Sequence, residues 1–269
     1  MSVMTYTAAV PPTPRTTTAR RSLKAEWTKL YTLPSTWRTA AIAAAAAIGM
    51  SAAVAASQAS QWHTLTVQQR RTFDPTSASM SGVMIAALLL GALAVRTVTA
   101  EYSTGMIRST FTAMPTRRLV LVAKAATAAA FVFPVALLCD ALGFQLGQRI
   151  LAGKHLQVGI GHPGVIQAMF LGAVAVSLIG IVGVGLGGVI RHTAGSTTAL
   201  SLVVVGGLLF DQFVPAGLRQ YLPATAMQAA VTVHRSAGLL RPAAAIAVLC
   251  GYAAIALGAA TIRVAHRDA

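Results

Sequence analysis

The chain has 269 residues, of which 55% are hydrophobic and only 10% are charged. About a quarter of a typical soluble domain is charged, so this composition indicates an integral membrane protein. The formal net charge of +15 does not point to nucleic acid, because the basic residues flank apolar runs instead of forming one face interleaved with aromatic residues. Nucleic acid is therefore not an expected partner.

The N-terminal region precedes the first apolar run. Residues 1–20 are rich in Thr and Pro and have no apolar core, so we expect a disordered cytoplasmic tail and not a signal peptide. Apolar and aromatic side chains then recur at helical spacing, at Leu23, Trp27, Leu30 and Tyr31. This pattern, which stops at Pro34, predicts an amphipathic helix at the membrane interface within residues 1–38.

Six apolar stretches follow, each able to form a helix that crosses the ~30 Å hydrocarbon core. We predict them at about 39–59, 80–98, 119–147, 165–190, 197–214 and 242–262, so that residues 39–262 form one transmembrane domain and residues 263–269 form a tail. The third run exceeds the length of one crossing, which predicts that it tilts, projects or kinks at Pro134. Residues 215–241 are too polar to span and too apolar for a solvated loop, and a re-entrant path there requires that protein cover the backbone.

The distribution of basic residues sets the orientation of this bundle. The inner segments of this topology hold about fourteen Lys and Arg residues, and the outer loops hold about seven. The predicted fold is thus an all-α integral membrane protein with six transmembrane helices after an amphipathic interfacial helix. Both termini are predicted to be cytoplasmic.

Small residues within the spans predict close contacts between helices. Gly143 and Gly147, and likewise Gly183 and Gly187, have the small-xxx-small spacing that lets a second helix approach closely. The glycines of the fourth span also match G-x-G-x-x-G, but no strand precedes them and no βαβ unit surrounds them. We therefore interpret them as packing residues and not as a dinucleotide site.

The remaining titratable residues give little sign of a site. Asp140 lies about 30 Å of helix rise into the third span, so we expect it to face the outer interface or a loop, although an intramembrane carboxylate is a functional candidate by default. Asp211 is interpreted in the same way. His155 and His162 have no nearby Cys or carboxylate, so no metal site is expected there.

Enzyme motifs are missing from the sequence. There is no G-x-x-x-x-G-K-[ST] to bind nucleotide phosphates, no H-E-x-x-H, no G-x-S-x-G and no pair of clustered carboxylates. The chain is therefore expected to be no enzyme and to bind no cofactor itself.

The polar stretch 96–124 separates the second and third spans and is predicted to be a cytoplasmic loop. It contains Glu101, one of only six acidic residues in the chain. Residues 101–108 are predicted to form a short helix across the bilayer surface, in which Tyr102 and Met106 share a face before Pro115 ends it. An alternative to a functional role for this loop is that its basic residues only hold it in the cytoplasm. These residues are Arg108, Arg117, Arg118 and Lys124.

Three stretches carry a resemblance to a known family. They are LKAEWTKL at 23–30 with STW at 35–37, TAEYSTGMIR at 99–108, and YLPA at 221–224 with Gln228 after it. Together they resemble ABC transporter permeases of the type-2 exporter superfamily, especially those of high-GC actinobacteria. The run E-Y-x-x-G-x-x-R is the most specific part, and the chain departs from the commonest pattern in having Met227 where many relatives have Gly.

The resemblance implies a half-transporter without its motor. In such a protein two six-helix permeases, as copies or paralogues, pair in the bacterial plasma membrane above two cytoplasmic ABC ATPase subunits that bind ATP and Mg. The coupling loop would be Glu101, Tyr102, Ser103, Thr104, Gly105, Met106, Ile107 and Arg108. The few polar groups within the spans fit a hydrophobic or amphipathic, drug-like substrate, as in multidrug efflux.

Two other classes of protein stay open at this point. Asp140 and Asp211 suggest a motorless channel or an ion-coupled secondary carrier. A membrane anchor or assembly factor that moves no substrate is the third alternative.

Overall fold

The computed structural model describes residues 19–107, 117–209, 213–234 and 238–266, and these residues contain eleven helices and no strand. The all-α prediction is confirmed. The helices are α1 (Ala19–Thr32), α2 (Pro34–Gln61), α3 (Val67–Arg71), α4 (Pro75–Ser79), α5 (Val83–Ser103), α6 (Arg117–Ala152), α7 (Val165–Ile190), α8 (Thr193–Leu209), α9 (Ala216–Arg219), α10 (Pro223–Val231) and α11 (Pro242–His266).

Five of the described helices are long and apolar enough to cross a membrane, namely α2, α5, α6, α7 and α11. They indicate a multi-pass membrane protein. Helix α8 is apolar but has only 17 residues, which at ~1.5 Å per residue gives about 25 Å, less than the ~30 Å hydrocarbon core. The span predicted at 197–214 includes residues 210–212, which lie outside the described residues. The sixth crossing therefore stays a prediction.

Helix α7 occupies the centre of the bundle, in contact with α5, α6, α8, α10 and α11. Its glycines let these neighbours approach. A Cβ atom added to Gly183 would lie 2.8 Å from the carbonyl oxygen of Gly91 in α5, and one added to Gly187 would lie 3.2 Å from that of Val95. In lipid no hydrophobic force drives helices together, so dispersion contacts at such close approaches hold the bundle.

Further close approaches lie toward the opposite end of α5 from Ser103. A Cβ atom on Gly143 of α6 would lie 2.9 Å from the hydroxyl oxygen of Ser51 in α2, and one on Gly147 would lie 2.6 Å from Ser79 of α4. The backbone N–H of Gly82 also donates a hydrogen bond to the Ser51 hydroxyl at 3.0 Å. Helices α2, α4, α5 and α6 are thus tied together at this end.

Two helices continue beyond the ends of the predicted spans. Helix α5 continues beyond 98 to Ser103, and α6 continues beyond 147 to Ala152. With 36 residues, α6 is about 54 Å long and projects beyond one membrane thickness. Its Gln148 is part of the helix and not of a loop: the side chain donates to the Pro75 carbonyl and the Ser79 hydroxyl and accepts from the backbone N–H of Val158.

The segment between the last two apolar helices contains a short buried helix. Seven of the nine residues of α10 are buried, and Met227 is fully enclosed. Helix α10 packs against α7, α8 and α11. Neighbouring helices therefore cover this segment, as a re-entrant path would require.

Helix α1 presents an unexpected face to the bundle. Ser22, Glu26 and Leu30, four residues apart, are buried, while Trp27 and Tyr31 are exposed. The helix packs against α6. The aromatic side chains of the predicted amphipathic helix thus face away from the bundle, and the face that contains an acidic residue meets protein.

The glycine contacts of α7 lead to a first prediction. Gly185→Ala should lower the free energy of unfolding by about 1–3 kcal/mol, because the new Cβ would lie 2.5 Å from the backbone carbonyl carbon of Ala256 in α11, which cannot give way as a side chain can. Denaturant unfolding of the chain in mixed micelles would measure this change.

Gly251→Ala on α11 is the matched control, because a Cβ at Gly251 meets no atom within 4 Å. It should leave stability unchanged or raise it by up to ~1 kcal/mol through helix propensity. Equal stability of the two variants would contradict the close packing of α7 on α11.

Candidate functional site

Two lysines and two glutamates meet at the end of α5 that carries Ser103. Lys124 of α6 is the centre of this cluster, with its side chain 2% exposed. Its Nζ donates to Glu26 Oε2 at 2.7 Å, to Glu101 Oε1 at 2.7 Å and to the Thr97 carbonyl oxygen at 3.2 Å. All three protons of the ammonium group are thus used, which is what a buried lysine requires.

Lys29 of α1 closes the cluster on its open side. Its Nζ donates to Glu26 Oε1 at 3.0 Å and to Glu101 Oε1 at 2.8 Å. Partial burial alone would lower the pKa of Lys29, but hydrogen bonds to Glu101 and Glu26 and the charges of the two carboxylates outweigh it and raise that pKa above 10.5. Lys29 therefore stays charged at physiological pH, and the four groups sum to zero charge.

The four-charge cluster, Glu26, Lys29, Glu101 and Lys124, joins three helices that are distant in sequence. Glu26 and Lys124 are separated by 98 residues, and Lys29 and Glu101 by 72. Removing one partner from a buried ion pair typically costs about 3–5 kcal/mol, since it leaves an uncompensated charge. The cluster consequently fixes the position of α1 against α5 and α6.

Tyr102 and Thr99, which lie near Glu101 on α5, contact the turn between α7 and α8. The guanidinium of Arg191, which caps the end of α7, lies 5.1 Å from the ring centroid of Tyr102. One turn earlier, the hydroxyl of Thr193 at the start of α8 donates to that of Thr99 at 2.8 Å. The last two turns of α5 therefore contact α1, α6 and the turn between α7 and α8.

The predicted coupling residues occupy two different environments. Glu101, Tyr102 and Ser103 form the last turn of α5, so the expected separate surface helix beginning at Glu101 is wrong. Helix α5 ends there because the hydroxyls of Ser103 and Thr104 both donate to the Ala100 carbonyl and Gly105 then takes a positive φ of 72°. Helical backbone resumes at Met106 and Ile107, whereas Arg108 lies outside the described residues.

The predicted coupling residues also differ in solvent exposure. Glu101 is 6% exposed and Ile107 also is 6% exposed, while the four residues from Ser103 to Met106 are exposed. We name residues 103–106 the exposed turn. It is joined directly to the buried four-charge cluster through Glu101, so a partner on the exposed turn acts two residues away from the cluster.

Sequence reasoning missed Glu26, Lys29 and the central role of Lys124. Lys124 was placed at the start of the third predicted span and, in one alternative, was assigned only to holding the loop in the cytoplasm, yet it is buried in α6 at the centre of the cluster. One signal was available. In a chain with 21 basic and only six acidic residues, a carboxylate close to an apolar span, as Glu101 is, needs a basic partner.

Two other aspartates lie away from the exposed turn. Asp74 caps α4 through the N–H groups of Thr76 and Ser77, and its second oxygen accepts from the N–H groups of Val233 and His234 at 2.7 and 3.0 Å. This carboxylate ties the end of α10 to the start of α4. The sequence signal for the cap was Asp followed by Pro.

The expectation that Asp140 of α6 faces a loop is wrong, because the residue is buried inside the bundle, whereas its depth at the outer interface stays a prediction. The residue is 2% exposed, and its Oδ2 has no hydrogen-bond partner among the described residues. A Cβ atom on Gly172 of α7 would lie 2.6 Å from this oxygen and 2.9 Å from Val231. Asp140 is therefore enclosed between α6, α7 and the end of α10.

Metal binding finds no support within the described residues, where no three His, Cys, Asp or Glu side chains come together.

A scan of the chain against protein-family models finds no match, and a search of curated proteins finds no significant similarity. The chemistry of the chain must therefore be argued from its own geometry.

The cluster leads to a second prediction. Lys124→Met should lower the free energy of unfolding by about 3–5 kcal/mol, because Glu26 and Glu101 then share only Lys29 inside the bundle. The double variant Glu101→Gln/Lys124→Met should recover part of this loss, since one carboxylate and one ammonium remain paired. Unfolding in mixed micelles would measure both changes.

Lys24→Met is the control, since Lys24 is an exposed residue of the same helix as Lys29. It should change stability by less than ~0.5 kcal/mol. Lys124→Met as stable as Lys24→Met would show that the cluster does not hold α1 in place.

Proposed function

We propose that the chain is the membrane-spanning permease subunit of an ATP-driven ABC exporter, which moves a hydrophobic or amphipathic substrate out of a bacterial cell. In this proposal six helices cross the plasma membrane, with α8 and the residues after it as the fifth crossing, and both termini are cytoplasmic. Cytoplasmic ABC ATPase subunits bind ATP and Mg, and a second permease copy or paralogue completes the transporter.

One observation carries the proposal: an exposed turn is attached through a buried charge to several helices at once. The turn 103–106 projects from the bundle, and Glu101, two residues before it, binds Lys124 and Lys29. A device that converts movement of a soluble partner into movement of membrane helices needs these two parts, a docking surface and a stiff linkage.

The linkage is stiff because it is both packed and charged. Protein interiors have low compressibility and transmit displacement. Pulling Glu101 away from Lys124 would leave the buried ammonium group without one of its two carboxylate partners, so the helices should follow the turn and not separate from it. Displacement of the turn would thus reach α1 and α6 together with α5.

The orientation and the missing motor support the same proposal. The exposed turn lies in the stretch 96–124, whose five Lys and Arg residues favour a cytoplasmic position, where an ATPase subunit would be. The sequence contains no phosphate-binding loop, so ATP-driven transport would need a separate subunit. By linkage, that subunit must bind two states of the permease with different affinity.

The third prediction concerns the exposed turn. Ser103→Trp should reduce the amount of ATPase subunit that co-purifies with the chain by about tenfold or more, because overpacking a docked surface costs about 1–3 kcal/mol. Mild detergent extraction followed by quantitative mass spectrometry would measure the ratio of the two subunits.

Ser60→Trp is a closely matched control. Ser60 is also an exposed serine in the last turn of a membrane helix, and it donates to the carbonyl three residues earlier at 2.8 Å, as Ser103 does at 3.0 Å. It lies at the other end of the bundle and should leave the ratio unchanged. Absence of any ATPase from the native preparation, or its full retention by Ser103→Trp, would count against the exporter.

A second candidate function, an ion-coupled carrier, is favoured by Asp140. A buried carboxylate with an unpartnered oxygen is the kind of group that binds and releases protons in such carriers. Against it, Asp140 Oδ2 has no hydrogen-bond partner among the described residues that could pass a proton to it.

The fourth prediction separates these functions. In liposomes that contain only the purified chain, a proton gradient should drive no uptake or efflux of a cationic dye, because the motor is missing. If a gradient does drive dye movement and Asp140→Asn abolishes it, the carrier is correct and the exporter is not.

A further inference from the structure

A cleft lies between α5 and the junction at which α1 ends and α2 begins. We call this junction, around Leu33, the elbow of α1 and α2, and the cleft follows the half of α5 that ends at Ser103. Its volume is about 400 Å³, and three members of the four-charge cluster, Glu26, Lys29 and Glu101, line it. The apolar part of its wall includes Leu30, Leu33, Leu93 and Met106. Such a lining accepts hydrocarbon, and in the orientation proposed above the cleft would lie at the level of the inner leaflet.

Arg96 is the charged residue of this cleft that remains without an ion pair. It is exposed on α5, five residues before Glu101, and within the described chain it makes neither an ion pair nor a hydrogen bond. The two carboxylates of the cleft already bind Lys29 and Lys124. Because those four charges cancel, Arg96 gives the cleft a net charge of one positive unit.

An unpaired arginine on a membrane-facing helix needs an anion at the level of the headgroups. A guanidinium beside lipid is costly unless it reaches the interface or finds a partner. Its planar donors match a phosphate group, to which they form charge-assisted hydrogen bonds. The cytoplasmic leaflet is also the anionic one, so the chemistry of the cleft and that of its surroundings agree.

We propose that this cleft binds one anionic phospholipid of the inner leaflet, with its phosphate on Arg96 and an acyl chain along Leu33 and Leu93. A cationic amphiphile fits less well, since both carboxylates of the cleft are neutralised by lysines. The bound lipid would bridge the elbow of α1 and α2 to α5. This assignment does not depend on whether the chain is an exporter or a carrier, but it does require that the cleft face the inner leaflet.

The test uses the full chain in detergent with added lipid. Phosphatidylglycerol should bind and raise the thermal unfolding temperature, and Arg96→Gln should weaken its apparent affinity about tenfold, because a hydrogen bond to a charged group typically contributes that much. Arg96→Lys, which retains the charge, should lose less. Arg118→Gln is the control, since Arg118 is an exposed arginine near the cytoplasmic end of α6 that does not line the cleft.

Three probes distinguish the source of the anion. Inorganic phosphate alone should stabilise the chain much less than phosphatidylglycerol, and zwitterionic phosphatidylcholine should do so to an intermediate or smaller extent. Equal stabilisation by inorganic phosphate would overturn the lipid assignment, and equal stabilisation by phosphatidylcholine would overturn its preference for an anion. Equal affinity of Arg96→Gln and Arg118→Gln would overturn the site.

A measurement on the native chain keeps the proposal testable if Arg96→Gln does not fold. A phosphatidylglycerol that carries a photoreactive diazirine in its acyl chain should label peptides from residues 30–39 and 93–106 in membrane vesicles. Labelling that avoids both peptides while marking other helices would contradict the proposal.

Discussion

The four-charge cluster is the interaction on which the inner part of this structure depends. Burying an ammonium or carboxylate group inside a protein is costly unless the charge is paired and hydrogen-bonded. Lys124 meets this condition through two carboxylates and one backbone carbonyl, and Lys29 supplies the charge that balances the second carboxylate. Helix α1, which has no long apolar stretch of its own, is thereby attached to the bundle at a defined position.

Packing and charge have different roles along the bundle. Between the two ends, glycines bring backbones together and dispersion forces hold the helices, as around Gly183 and Gly185 of α7. At the ends, polar groups fix which residues meet: Glu101 with Lys124 at one end, and Asp74 with the end of α10 at the other. Directional contacts at both ends, joined by a tightly packed middle, make the helices move as connected bodies.

Much of the fold follows from hydropathy, but the ends of the helices do not. The apolar runs were long enough to indicate five of the spans, whereas α5 was predicted to end at 98 because polar residues begin there. It continues to Ser103, since Thr99 and Glu101 find partners on α8, α6 and α1. Those partners are up to 94 residues away in sequence, and no local pattern identifies them. The burial of Asp140 escaped prediction for the same reason, because it depends on which residues of α7 and α10 surround it.

The cleft at Arg96 connects the composition of the membrane to the exposed turn. Arg96 and Glu101 lie on the same helix, and the cleft is bounded by the elbow of α1 and α2 on one side and by α5 on the other. The four-charge cluster holds α1 to α5, so a change in the width of this cleft requires α5 to move relative to the start of α2, and a lipid bound there would have different affinity for the two arrangements. Linkage then requires that the lipid favour one arrangement and that a partner on the exposed turn alter the affinity for the lipid by the same factor. A single buried carboxylate, Glu101, therefore joins the two proposed sites on α5, the exposed turn for a protein partner and the cleft for a lipid.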